Sequence, residues 1–235
     1  MEIADEPIDD ADIGPRLAAG RDSIVYELGD GLVLRRAGNH RSFVAEGRTM
    51  EAVRSLGYPI PRVERVGPGE MVLERVAGPT MMQDIASHPW RLDAHARLLA
   101  DLHTRLHALE PPAGLEPFPT PGDAILHLDL HPLNVILSPD GPVVIDWTNA
   151  RRGPAGVDLA LTWIVLAVFE SDDTGIMRLL VAALRRRLVH SFLAAAGQDE
   201  AARCLRITAD YRGQDRNVRP TELDRLHRLV AQHAT

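Results

Sequence analysis

The sequence predicts an α+β fold in two parts, a small antiparallel sheet with one helix and then a larger, mostly helical region. Three observations carry that expectation. The first third alternates short β-prone runs with glycine and proline turns. After Gly78-Pro79 the apolar residues recur at helical spacing. Between the helical stretches stands a hairpin signal, Ser138-Pro139-Asp140-Gly141, flanked by two apolar runs. The parts are expected to divide into residues 1–75 and 76–235, with a short hinge near residues 74–78.

Residues 23–28 read Ser-Ile-Val-Tyr-Glu-Leu, and Gly29-Asp30-Gly31 turns the chain back into Leu32-Val33-Leu34-Arg35. A helix follows over 41–56 through Phe43, Met50, Val53 and Leu56, with Gly57 as its stop. Short strands at 63–66 and 71–75 flank the turn Gly67-Pro68-Gly69. In the second part, residues 90–109 carry Leu92, Leu98, Leu99, Leu102, Leu106 and Leu109 at helical spacing. Five prolines between 111 and 121 make a loop. Further helices are expected over 157–169, 174–196 and 222–232, the last capped by Thr221 with Asp224 three residues on.

Composition excludes several classes of function. The chain has 235 residues and one cysteine, Cys204, so it holds no internal disulfide and no cysteine-based zinc site, and it suits a reducing cytoplasm. The acidic first residues are neither a signal nor a transit peptide. The most apolar run, 159–169, is short of the ~20 residues a membrane helix needs. All 26 basic residues are arginine, which removes Schiff-base chemistry and the lysine of a P-loop. The first 30 residues carry nine acids against two arginines, and the rest balance 24 acids with 24 arginines. The net charge of −7 therefore reads as a solvated N-terminal face. No basic stripe marks nucleic acid as a partner.

The informative stretch runs His127-Leu-Asp129-Leu-His131-Pro-Leu-Asn134, then the hairpin, then Ile145-Asp146-Trp147. If Leu137 pairs with Pro142, Asn134 stands opposite Ile145 and beside Asp146, and opposed residues lie roughly 5 Å apart. Their oxygens suit one hard cation. Asp129 sits in the loop leading to that point. A carboxylate facing an amide-and-carboxylate metal pair is the layout phosphoryl transfer needs.

This run resembles the catalytic loop and metal aspartate of protein kinases. The tryptophan after Asp146, and the chain length, make it more similar to the aminoglycoside phosphotransferase and choline kinase-like group of small-molecule kinases. The resemblance implies a two-lobed protein kinase-like fold and transfer of a phosphate from ATP or GTP, with Mg2+, to a hydroxyl of a small molecule. It implies a monomer or homodimer in the cytoplasm. By the same resemblance Asp129 is the catalytic aspartate, and His131 stands near the transferred phosphate. Asn134 and Asp146 are the magnesium ligands, His127 packs beneath the metal aspartate, and Asp158 braces the loop. Arg35 takes the place of the strand lysine on the α- and β-phosphates, with Glu46 its helix partner and the adjacent Arg36 the other candidate. Gly20 and Ser23 bound the loop over the nucleotide, and Glu74 to Val76 form the hinge that receives the purine. Leu128 replaces a family glycine and is expected to narrow the space beside the acceptor hydroxyl. Glu170, Asp172 and Asp173 lie where related enzymes gather amino groups, which implies an aminoglycoside-like or other amino-bearing alcohol.

Two other readings stand beside this one. His127, Asp129 and His131 together have the look of a metal-dependent hydrolase, since histidine and carboxylate suit zinc or iron. That would leave Asn134, Asp146 and Arg35 without roles. A catalytically silent kinase-fold binding protein is the other, and the intact Asp129, Asn134 and Asp146 argue against it. His103 and His107, one turn apart, have no acid or third histidine placed in sequence to join them, and they read as structural.

Overall fold

A computed structural model describes residues 1–4, 6–20, 23–38, 41–168, 175–214 and 219–233. The α+β fold expected from the sequence is the fold observed. In the first part, β1 (Glu2–Ile3), β2 (Arg16–Ala19), β3 (Ser23–Gly29), β4 (Leu32–Ala37), β5 (Val63–Gly67) and β6 (Glu70–Glu74) form one sheet. Its order is β1-β5-β6-β4-β3-β2, and helix α1 (Val44–Ser55) lies between β4 and β5 in the chain. The pairs are antiparallel as expected, except that β1 joins the edge parallel to β5. The turn between β3 and β4 works because Gly29, Asp30 and Gly31 all adopt left-handed φ values.

The second stretch of chain adds α2 (Met81–Ser87), α3 (Leu92–His107), β7 (Ala124–Leu126), β8 (Val135–Ser138), β9 (Gly141–Val144) and β10 (Arg151–Gly153). Helices α4 (Ala155–Val168), α5 (Gly175–Ala196), α6 (Gln198–Gly213) and α7 (Pro220–His233) complete it. β8 and β9 form the expected hairpin, and β7 pairs antiparallel with β10. The chain folds as two compact units, Met1–Gly78 with Ile136–Thr148, and Pro79–Val135 with Asn149–Thr235. Within the first unit Gly78 touches the hairpin backbone. A β-carbon there would stand 2.2 Å from the Leu137 carbonyl oxygen, so only glycine fits.

Helix α4 is apolar all round because it is covered all round, packing against α5, α6 and α7. Helix α7 starts one residue before the proposed Thr221 cap. Pro220 takes the first helical position, and the Arg219 N–H donates to Glu222 Oε2 at 3.2 Å. Among the described residues no helix is long and apolar enough to cross a membrane.

The acidic N-terminal stretch is not simply a solvated face. Arg36 Nη1 donates to Asp10 Oδ1 at 2.7 Å, its Nη2 to the Ile8 carbonyl, and its Nε to Glu70 Oε1 at 2.7 Å. The Ile8 N–H closes the loop onto Glu70 Oε2. Arg36 therefore ties the N-terminal arm to the sheet. Arg36→Ala is expected to cost about 1 kcal/mol, since Asp10 is exposed and screened. Limited proteolysis should show faster nicking before residue 13, with nucleotide-dependent properties unchanged. Equal cleavage rates in the two proteins would refute the clamp.

Candidate active site

In the first unit the site is built around Arg35. Strand alternation sends Arg35 and Arg36 to opposite faces of β4. The Arg35 side runs toward α1, where Nη1 donates to Glu46 Oε1 at 2.6 Å. Its Nη2 donates to Asp146 Oδ1 at 3.0 Å and to Thr148 Oγ1 at 2.9 Å, and Nε donates to Ser23 Oγ at 2.9 Å. The guanidinium also lies 5.1 Å over the Phe43 ring. Glu46 is nearly covered. Burial pushes its carboxyl up, and the nearby Arg35 and Arg41 charges only partly draw it back. Thr148 Oγ1 donates to Glu46 Oε2 as well, which closes the ring of contacts.

Asp146 adopts a left-handed φ of 64°, a conformation aspartate tolerates. The tryptophan after it is locked: the Trp147 indole donates to the Val144 carbonyl and packs edge-on against Tyr58 at 5.7 Å. Asp146 itself keeps 40% of its side chain exposed, and Arg35 engages only its Oδ1. Gly20 and Ser23 close the β2–β3 connection, the Gly20 N–H donating to the Ser23 carbonyl. Arg21 and Asp22 between them lie outside the described residues. Glu74 ends β6, and its N–H donates to the Arg62 carbonyl, while Val76 sits half-buried in the extended segment before Gly78.

In the second unit the residues gather around Asp129. Asn134 Nδ2 donates both to the Asp129 carbonyl at 2.9 Å and to its Oδ2 at 3.1 Å. His131 Nε2 lies 3.3 Å from Asp129 Oδ1. The Leu133 N–H donates to His131 Nδ1, so the ring proton must sit on Nε2 and point at Asp129. Burial pushes the Asp129 carboxyl up, but the His131 hydrogen bond and the nearby His131, His127 and Arg212 outweigh it. The net shift is downward. Asp129 is thus a fixed carboxylate at neutral pH, and Asn134 has spent its amide protons, leaving its carbonyl oxygen as a ligand.

Asp158 is fully buried on α4, and its oxygens accept the N–H groups of His127 at 3.1 Å and Leu128 at 2.7 Å. Burial alone would raise its pKa. The His103 and His107 rings beside it win, and Asp158 lies well below the ordinary carboxylate range. The expectation that no acid joins the two histidines therefore fails. His107 Nε2 donates to Asp158 Oδ2 at 3.1 Å, and His103 Nδ1 lies 3.4 Å from the same oxygen. Nothing local could have announced this, because the partners are 51 and 55 residues apart in sequence. The alternative metal trio fares worse. Among the described residues the one group of three such side chains with converging ligand atoms is His103, His107 and Asp158, not His127, Asp129 and His131. His127 is completely buried.

Leu128 also departs from expectation. It holds a left-handed φ of 58°, the conformation for which glycine is the natural residue. Because that conformation redirects the side chain, Leu128 points into a core cluster with Phe118, Leu126, Val157 and Leu161 at 3% exposure. It does not narrow the acceptor space. Leu128→Gly would relieve roughly 1–2 kcal/mol of backbone strain but forfeit a buried leucine, a loss of about 2–5 kcal/mol. The variant should melt lower by about 1–3 kcal/mol of stability in thermal unfolding. A stabilised variant would mean the side chain contributes little packing. Glu170, Asp172 and Asp173 lie outside the described residues.

The fold is shared with solved aminoglycoside phosphotransferases and a choline/ethanolamine kinase family protein. Residues 119–206 match the model of the family described as "Phosphotransferase enzyme family". Among solved structures the chain is similar to a thermostable mutant of aminoglycoside phosphotransferase APH(4)-Ia with AMP-PNP and hygromycin B. The TM-score is 0.62 at 15% identity, covering 95% of this chain and 94% of that one. It is similar to aminoglycoside phosphotransferase APH(2'')-Ib with ADP bound, at a TM-score of 0.58, 15% identity and 93% and 92% coverage. A choline/ethanolamine kinase family protein from Mesorhizobium loti gives a TM-score of 0.54 at 19% identity, covering 94% and 88%. No curated protein matches the chain by sequence.

Proposed function

We propose that this protein transfers the γ-phosphate of ATP, or of GTP, to a hydroxyl of a small molecule in the cytoplasm. The observation that carries the reading is the state of Asp129: an ionised carboxylate with one oxygen facing His131 and the other held by Asn134. Such a group orients an acceptor hydroxyl and takes its proton late, when the phosphate has largely left its donor. His131 fixes Asp129 and presents its Nε2 proton next to the carboxylate. Arg35 clamps phosphate by parallel hydrogen bonds, for which a guanidinium is well shaped. Glu46 holds Arg35 in place. Gly20 and Ser23 border the loop over the phosphates, and the backbone from Glu74 to Val76 receives the base.

Two donors suit magnesium by their chemistry. The Asn134 carbonyl oxygen remains for a cation because the amide protons serve Asp129, and Asp146 offers Oδ2 because Oδ1 serves Arg35. Bound there with nucleotide, magnesium would neutralise charge on the phosphate oxygens. The melting temperature is expected to rise with magnesium and ATP together, and by less with either alone. Stoichiometric zinc in the purified protein, with indifference to nucleotide, would sink this reading and favour a hydrolase.

The acceptor we favour is an amino-bearing alcohol, aminoglycoside-like in the leading case. The reading rests on the acids Glu170, Asp172 and Asp173, which would steer a cationic ligand and fix its orientation. A nucleotide-consumption screen over aminoglycosides, amino alcohols and sugars, with magnesium present, tests it. Aminated alcohols should be preferred, and Asp172→Asn with Asp173→Asn should erase the preference. A preference for neutral or anionic alcohols that survives the double substitution would exclude this substrate class.

A further inference from the structure

Asp158 holds the backbone just before Asp129, and a second arm holds the backbone just after it. Thr162 lies one turn further along α4 and is buried, and its hydroxyl donates to the Leu130 carbonyl at 2.8 Å. His103, on α3, stands between the arms and is completely buried. Its Nδ1 faces Asp158 Oδ2 at 3.4 Å, and its Nε2 lies 3.1 Å from Thr162 Oγ1. Burial pushes the His103 pKa down, so the ring carries a single N–H and donates either to Asp158 or to Thr162, not to both at once.

We infer that His103 is a positioning residue for phosphoryl transfer: it couples Asp158 to Thr162 and so fixes the backbone on both sides of Asp129. The contacts bracket Asp129, with His127 and Leu128 N–H groups on one side and the Leu130 carbonyl on the other. The bracket has a particular task in this chain. Leu128 is held at a φ that glycine would adopt freely, and the shortest bond of the set, 2.7 Å, is the one on its N–H. Without the bracket Leu128 would relax toward negative φ and carry Asp129 out of position.

A metal held by the same three groups is the competing account. It fails on burial and on partners. His103 and Asp158 are fully covered, Asp158 already serves two backbone N–H groups, and both His103 nitrogens already face protein oxygens.

The inference rests on the assignment of Asp129 as the catalytic carboxylate, and its test reads the loop and the chemistry separately. In the full chain, hydrogen exchange at the His127 and Leu128 amides is compared for wild type and for His103→Leu, His103→Gln and His103→Asn. The leucine variant should speed exchange there by about tenfold or more, and leave β3 and β4 amides unchanged. Glutamine keeps a donor for Thr162 and asparagine one for Asp158, so each should fall between wild type and leucine. ADP release from magnesium-ATP, with water as acceptor, should lose about tenfold in kcat in the leucine variant with little change in KM for ATP. Adding Leu128→Gly to His103→Leu should recover part of that loss, because glycine holds the left-handed turn unaided. Unchanged exchange at 127 and 128 in all three folded variants, purely additive losses in the double variant, or stoichiometric zinc lost with His103 would each overturn the inference. If the amides respond as stated but Asp129→Asn keeps full turnover, the bracket stands and the catalytic assignment falls.

Discussion

Asp129→Asn should cut turnover by about 10²-fold or more while leaving the binding of magnesium-nucleotide nearly intact. The reason lies in what the substitution preserves. Asparagine is isosteric, so an oxygen can still accept from Asn134, and the loop remains bracketed by Asp158. What disappears is a carboxylate able to accept the acceptor's proton. One amide nitrogen also meets a donor, either His131 Nε2 or Asn134 Nδ2, which adds misorientation to the loss of charge. Steady-state kinetics with a responsive acceptor, beside a thermal-shift titration with magnesium-ATP, separates the two effects. Unchanged turnover would mean that the loop has been misassigned. Because Asp129 lies below the ordinary carboxylate range, its protonation should limit activity only below about pH 4.

Asp158→Asn should be the most damaging single change to stability, at about 3–5 kcal/mol, because it strips the charge from a buried group that two imidazoles and two backbone N–H groups depend on. At roughly 2–4 °C per kcal/mol for a chain of this size, the melting temperature should fall by about 6–20 °C. The pH dependence has a definite sign. The folded-state pKa of Asp158 is depressed, so its contribution is complete above the unfolded value near 4 and is lost as pH falls through the folded value. Wild-type stability should therefore drop steeply below about pH 4, and the Asp158→Asn variant should lack that part of the drop. A variant that melts within about 1 kcal/mol of wild type would show that the His103–His107–Asp158 group is replaceable.

Much of this is legible in the chain because the chemistry is compressed into one stretch. His127 to Asp146 places the loop, the hairpin and the second carboxylate within twenty residues, and strand alternation separates Arg35 from Arg36 without any structure. What escapes the sequence is non-local or sign-changing. The β1–β5 pairing joins Glu2 to Arg65, and no local pattern encodes a two-residue strand. Helix α6 leaves no clear pattern because charges interrupt its apolar side throughout, and α2 leaves none because it is only seven residues long. The His103–His107 pair looks idle until α4 supplies Asp158. Leu128 misleads for a different reason. A leucine at a glycine position suggests bulk in front of the loop, but a positive φ turns the same bulk behind it.

The arginine in β4 carries a practical consequence for reagents. Electrophilic nucleotide analogues that acylate a side-chain amine beside a triphosphate need an unprotonated nitrogen to attack. A guanidinium offers no such nitrogen, and no lysine exists elsewhere in the 235 residues to substitute for it. Such probes will pass this protein by, and their silence carries no information about nucleotide occupancy. Dicarbonyl reagents that condense with guanidinium are the matching chemistry. Arg35 already directs Nε, Nη1 and Nη2 at Ser23, Glu46, Asp146 and Thr148, so a reagent has to displace those partners first. The more exposed arginines will be modified sooner, and the slow fraction is the one that reports on the phosphate clamp.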